Sequence, residues 1–328
     1  MNIDALAAHL EPIRCYLEDN SVSEVLINTP KQVFVERNGK FEQHANEKLD
    51  LLHLNRLGVL IANFNKKPFG DKNTRLAGIL PQGCRIQIIR EPVLEAGKIA
   101  FSIRKQVIAN YCLDDFEECF FQNTQLTYIP RFVPNSRDHL RKYKLDNRRA
   151  KQFLRDSILK RKTIVISGGT STGKTTFLNA CLKEIPNNER LIILEDTREI
   201  FVSQPNHLCL LSGTQGDGAQ EQDMIENLKA SLRLRPDRIL LGELRGGEAA
   251  TFLEAASTGH EGSFTTIHAS SAMLALERLC MLAERGGLRQ QSREELREYV
   301  GTIIDIIIQL KRCPDGKRHV SEILSLSE

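Results

Sequence analysis

The residues with the most specific chemical meaning are Gly168-Gly169-Thr170-Ser171-Thr172-Gly173-Lys174-Thr175, followed by Thr176. They fit Gly-x-x-x-x-Gly-Lys-Ser/Thr in the context that spacing requires: the apolar run Thr163-Ile164-Val165-Ile166-Ser167 before it, and a helix-forming stretch through Phe177 and Leu178 after it. Glycines let backbone N–H groups wrap phosphate oxygens, and the first turn of the helix adds the positive end of its dipole. Residues 168–176 are therefore the expected nucleotide contacts. Lys174 would reach the β and γ phosphates, and the Thr175 hydroxyl would ligate Mg²⁺. A purely structural Gly-rich turn is the alternative, and the flanking elements weigh against it.

Three later strand-like runs end in groups suited to the same chemistry. Leu191-Ile192-Ile193-Leu194 ends in Glu195-Asp196, Arg238-Ile239-Leu240-Leu241-Gly242 in Glu243, and Ser263-Phe264-Thr265-Thr266-Ile267 in His268. Ligands of open α/β sheets bind beyond the carboxyl ends of the strands, so parallel strands would gather these groups around the phosphate loop. Phosphoryl transfer needs cations and a metal against the charge on the transferred group, and a carboxylate to orient or deprotonate water. Glu243 is the expected base, with Lys174 as the cation. Glu195 is expected to support Mg²⁺ directly or through water, and His268 to hydrogen-bond the γ-phosphate and report its loss. Gly242 stands where many such strands carry a metal-binding Asp, so that ligand is absent. The blander readings are a capping carboxylate for Glu195 and a satisfied edge histidine for His268. His260 stays open between structural and functional roles.

These groups need a scaffold, and the chain can build one. Its 328 residues suggest about two domains. With 41% hydrophobic and 27% charged residues it reads as an ordinary globular protein. No apolar run approaches the roughly 20 residues of a membrane span. Residues 1–10 include Asp4 and His9 and lack a basic start with an apolar core, so no secretory signal is expected. The eight cysteines are scattered without a Cys-x-x-Cys pair, which argues against a zinc site and for reduced thiols in the cytoplasm.

Residues 1–105 read as an α+β domain. Ile3, Leu6, Leu10, Ile13 and Leu17 fall at helical spacing, with Pro12 expected to break the helix. Two strands flank the hairpin turn Asn38-Gly39. A helix follows with Leu49, Leu52, Leu57, Leu60, Ile61 and Phe64 on its apolar face, then strands at 85–90 and 99–104. Residues 106–157 read as a long linker with an acidic patch at Asp114, Asp115, Glu117 and Glu118 and a helix at 148–159. Residues 131–162 hold 12 Lys and Arg against 3 Asp, a charge of +9 that leaves −6 for the rest of the chain. A solvated linker, or a basic surface for acidic lipid, nucleic acid or a neighbouring subunit, both fit that charge. Residues 158–328 alternate strands and helices, which implies a mostly parallel sheet covered on both faces.

The phosphate loop, the acidic segment Glu195-Asp196-Thr197-Arg198-Glu199, the run from Leu234 through Arg245, and Gly259-His260-Glu261-Gly262 through His268-Ala269 occur in that order. Together they resemble the type II/IV secretion ATPases, and over nearly the whole chain the small traffic ATPases of type IV secretion. The resemblance implies a RecA-like ATPase domain that hydrolyses ATP with Mg²⁺. It implies a homohexameric ring at the cytoplasmic face of the inner membrane, working with other secretion subunits on a protein or DNA substrate. It also implies that Arg85 and Arg104 reach the nucleotide from the N-terminal domain, although each reads equally well as a solvated strand-end arginine. The long linker implies a domain swap between subunits. Ser171 departs from the family, which usually has Gly there, so Ser171 must tolerate a glycine-like dihedral. A DNA-dependent motor is the alternative, weakened by the near-absence of aromatics in the basic stretch. A non-catalytic nucleotide binder would have no use for the water-orienting carboxylate.

Overall fold

The computed structural model describes residues 3–37, 39–105, 111–129, 141–213, 217–290 and 292–326. The chain divides into two compact units, Met1–Ile108 and Ala109–Glu328.

In the first unit, α1 (Ile3–Leu10) ends in a 3-10 turn over Glu11–Ile13, and α2 (Arg14–Glu18) resumes after it. Pro12, with no N–H to donate, sits in that turn, so the helix breaks where expected. The strands β1 (Val22–Thr29), β2 (Gln32–Arg37) and β3 (Lys40–Ala45) precede α3 (Leu51–Phe64), and β4 (Arg75–Ile79), β5 (Arg85–Arg90) and β6 (Ile99–Arg104) follow it. They form an antiparallel sheet of order β3-β2-β1-β6-β5-β4. The β2–β3 hairpin closes with Arg37 opposite Lys40. Asn38 of its turn lies outside the described residues, and Gly39 takes φ +79°, the left-handed conformation this tight turn needs. On α3, Leu54, Leu57 and Ile61 are buried, whereas Leu52, expected on that face, is 60% exposed. Leu54, not Leu52, lies one turn before Leu57.

Among the described residues the second unit is built on nine strands. In chain order its elements are β7 (Thr124–Tyr128), β8 (Arg141–Leu145), α4 (Asn147–Leu159), β9 (Ile164–Gly168), α5 (Lys174–Leu182), β10 (Leu191–Glu195), β11 (His207–Leu211), α6 (Asp217–Ser231), β12 (Arg238–Leu244), α7 (Glu248–Ser257), β13 (Phe264–Ile267), α8 (Ala272–Arg285), α9 (Arg293–Ile303), β14 (Ile306–Arg312) and β15 (Arg318–Ser325). The sheet order is β11-β10-β12-β13-β9-β14-β15-β7-β8. From β11 to β14 every pairing is parallel; the β14–β15 and β7–β8 pairings are antiparallel. Successive side chains point to opposite faces, and both are covered. Val165, Ile192, Leu194, Ile239 and Leu241 pack with α6 to α9, while Ile164, Ile166, Leu191, Ile193 and Leu240 pack with α4 and α5.

The expectation of a linker over 106–157 differs from the observed packing. Its stretches 106–110 and 130–140 lie outside the described residues, but β7 pairs with β15 and β8 with β7 in the large sheet. Phe116, Phe120 and Phe121 cluster on Phe177 of α5. Asp114 of the acidic patch accepts a hydrogen bond from Arg155 of α4 at 2.7 Å. The region's apolar residues are few but concentrated, and aromatic burial carries more energy per residue than its polar composition suggests.

The amino ends of the strands are tied by charge. Arg238, fully buried, donates from two nitrogens to both carboxylate oxygens of Glu189 at 2.7 and 2.8 Å. Arg161 reaches Glu189 as well, and Lys162 pairs with Asp305 at 3.1 Å. Gly262 turns through φ +79° where an added Cβ would fall 2.7 Å from the Arg238 guanidinium.

Candidate active site

Parallel register puts the functional residues at one edge. Ser167 on β9 faces Ile267 on β13, Ile267 faces Leu244 on β12, and Leu241 faces Leu194 on β10. The phosphate loop, His268, Glu243 and Glu195 therefore leave the sheet side by side.

The loop runs from Gly168, buried at the end of β9, to the N-terminus of α5. An added Cβ at Gly168 would meet the Thr172 hydroxyl at 2.4 Å, and that hydroxyl donates to the Gly169 carbonyl at 2.9 Å. Ser171 takes φ +57° and Gly173 φ +87°. Alternating hand along a loop turns successive N–H groups to one side, the anion-binding arrangement. A residue with a Cβ pays about 1 to 2 kcal/mol for the left-handed conformation, so Ser171 is held there by its surroundings.

Lys174 donates from Nζ to the carbonyls of Gly168 and Gly169 at 3.0 and 3.2 Å, and its Nζ lies 3.1 Å from His268 Nε2. The other imidazole nitrogen, Nδ1, contacts Glu243 Oε1. The imidazole thus has the Lys174 ammonium on its Nε2 side and the Glu243 carboxylate on its Nδ1 side. Glu243 Oε2 accepts from Arg245 Nε at 2.7 Å, and Arg245 also donates to Asp196 at 2.8 Å. A continuous polar chain thus joins Lys174, His268, Glu243, Arg245 and Asp196. Burial alone would raise the Glu243 carboxyl, but Arg245, His268 and Lys174 outweigh it and hold Glu243 below the usual carboxylate range. Glu243 is an anion at neutral pH, better suited to orienting water than to keeping its proton.

Glu195 is arranged otherwise. Its Oε1 accepts from the N–H groups of Glu199 and Ile200, both at 2.8 Å, so it caps the segment after β10. Burial pushes its carboxyl up to about 7 against those two bonds. The carboxylate beside the Thr175 hydroxyl is Glu199, at 3.1 Å. Thr175 and Glu199 offer hard oxygen donors of the kind that suits Mg²⁺ with its remaining waters. Thr176 is half-buried on the first turn of α5. His260 lies at the opposite, amino end of β13, with Nδ1 3.0 Å from the Ala255 carbonyl at the end of α7. Arg85 and Arg104 belong to the first unit, directly opposite each other on β5 and β6.

Glu199, Asp196, Arg245 and Arg318 were not singled out in the sequence reading. Glu199 lies in the same acidic segment as Glu195, and its position four residues later was the available signal. Arg318 donates from Nε to the Ser171 carbonyl at 3.0 Å across 147 residues of chain, which no local pattern reveals.

The profile described as Type II/IV secretion system protein matches residues 129–325. The type IV secretion system protein VirB11 of Brucella suis is 36% identical over 323 residues, 96% of this chain and 88% of that protein. The chain belongs to the type II/IV secretion family. PtlH, a type IV secretion system protein of Bordetella pertussis, is 34% identical over 310 residues, covering 93% and 89%. The crystal structure of the pilus retraction motor PilT with bound ADP has a TM-score of 0.60 at 18% identity, covering 98% of this chain and 82% of that one, a likeness of fold. Membership in the secretion family makes this protein an ATP hydrolase built on a RecA-like domain. Among the described residues no helix is long and apolar enough to cross a membrane.

Proposed function

We propose that the protein is a hexameric ATPase that powers type IV secretion, driving pilus assembly or the transfer of a protein or DNA substrate from the cytoplasmic face of the inner membrane. The observation that carries this reading is the polar chain from Lys174 through His268 and Glu243 to Asp196 beside a phosphate loop. Residues 168–176 hold the nucleotide phosphates by backbone N–H groups, with Lys174 leaving the loop carbonyls for the β and γ oxygens. Glu243 orients the attacking water; the new bond forms at the γ-phosphorus as the bond to the β-phosphate oxygen breaks, giving ADP and phosphate. His268, hydrogen-bonded between Lys174 and Glu243, senses whether the γ-phosphate is present. Thr175 and Glu199 would hold Mg²⁺ when it is bound, and Glu195 shapes the segment that carries Glu199. Such a cation would supply positive charge against the charge of the transferred phosphate group. Arg85 and Arg104 supply further phosphate cations from the first unit. The ring works with inner-membrane subunits of the secretion system, and domains are exchanged between neighbouring subunits.

The test is light-scattering mass with and without ATP and Mg²⁺, paired with ATPase rates with and without DNA. A six-subunit mass with turnover indifferent to DNA is expected. A monomer or dimer strongly stimulated by DNA would replace this reading with a DNA-dependent motor, whose basic surface would include the exposed Arg141, Lys142 and Lys144 on edge strand β8.

A further inference from the structure

We infer that Arg318 is a positioning residue for the phosphate loop, holding Ser171 in its left-handed conformation so that the cradle exists before nucleotide arrives. This rests on the reading of residues 168–176 as the nucleotide site.

Topology brings Arg318 there. β14 runs parallel to β9 and pairs with it up to Leu310 opposite Gly168. β9 stops at that point, but β14 continues to Arg312, and β15 begins with Arg318 directly opposite. The hairpin therefore extends past the sheet edge alongside the loop. Its tip is well formed: Cys313 N–H donates to the Lys317 carbonyl at 2.8 Å, and Gly316 N–H to the Cys313 carbonyl at 2.9 Å. Arg318 stands on a fixed base.

Two contacts meet the loop. The Arg318 Nε donates to the Ser171 carbonyl at 3.0 Å, a charge-assisted bond to the peptide that joins Ser171 to Thr172. The Arg318 Cδ occupies the space beside Gly173, 3.1 Å from where a Cβ would be. Ser171 has a Cβ and still sits at φ +57°. Fixing the carbonyl of that peptide fixes the direction of its N–H, the group offered to phosphate. The guanidinium thus acts on nucleotide through the loop, and its effect depends on residue 171 having a side chain.

That dependence is the test. ADP affinity is measured by calorimetry on the full chain for the wild type, Arg318→Ala, Ser171→Gly and the double variant, with thermal melting of each without nucleotide. Arg318→Ala should bind ADP about five- to tenfold more weakly, as expected for loss of one charge-assisted bond that organises the site. Ser171→Gly supplies the background in which residue 171 enters the left-handed region without strain, and its own ADP affinity is the reference for the double variant. In the glycine background, Arg318→Ala should lose less than about twofold. Unchanged affinity in Arg318→Ala overturns the inference. So does an equal loss in both backgrounds, which would place the guanidinium on the nucleotide itself, and so does a loss of affinity matched by collapse of the melting temperature in both backgrounds. A wild-type chain that binds no ADP would overturn the nucleotide site as well.

Discussion

At the scale of single residues, the site divides its carboxylates by environment. Glu243, surrounded by Arg245, His268 and Lys174, is kept ionised; Glu195, buried beneath two backbone N–H groups, is pushed up to about 7. Glu243→Gln should retain nucleotide binding and lose roughly 10² to 10⁴ of turnover, while Lys174→Ala should lose both. A near-normal rate in Glu243→Gln would remove it from the reaction. Glu195 leads to a pH dependence of stability. Its folded value lies above the ordinary 4.5, so the native state holds this proton more tightly than the unfolded chain does. Stability from this group is full below pH 4.5 and falls as pH rises to about 7, by on the order of 3 kcal/mol, then levels off. Melting curves without nucleotide at pH 5 and pH 8 should show the decline in the wild type and not in Glu195→Gln. If both chains decline equally, another group is responsible.

At the scale of elements, the amino edge of the large sheet is tied by buried charge. Glu189→Ala leaves the Arg238 guanidinium buried beside a missing carboxylate and should cost about 3 to 5 kcal/mol in urea unfolding followed by circular dichroism. Replacing both partners with apolar residues of similar size should be far milder, because no charge is then stranded. A double variant as damaged as the single one would mean the pair contributes through geometry and not desolvation. Much of this architecture was legible from local signals. β5 and β6 run over the residues their patterns indicated, Pro12 stops the first helix, and the strands leading to Glu195 and His268 run parallel in one sheet as expected. The apolar face of α3 was drawn with Leu52 in the place of Leu54. The segment around β7 was invisible as a sheet element because its pairing with β15 joins residues about 200 positions apart. A separation of 147 residues likewise hid Arg318. Glu199 escaped because sequence shows a carboxylate's presence and not the direction it faces: Glu195 turns to the backbone and Glu199 to Thr175.

At the scale of the molecule, two units must act together if phosphate chemistry is to become movement. On the proposed reading, Arg85 and Arg104 are the first unit's contribution to phosphate binding. Replacing either with Ala should raise the KM for ATP several-fold while leaving unfolding of the chain unchanged, since both sit at strand ends of the antiparallel sheet. An unaltered KM in both variants would confine the nucleotide site to the second unit. Within that second unit, the ties among Glu189, Arg238, Arg161, Lys162 and Asp305 all lie at one end of the strands and the phosphate loop at the other. A five-residue strand such as β9 separates them by roughly 16 Å. The sheet is in this respect a short lever with one end pinned: a displacement started at the loop would have a charge-tied footing to push against.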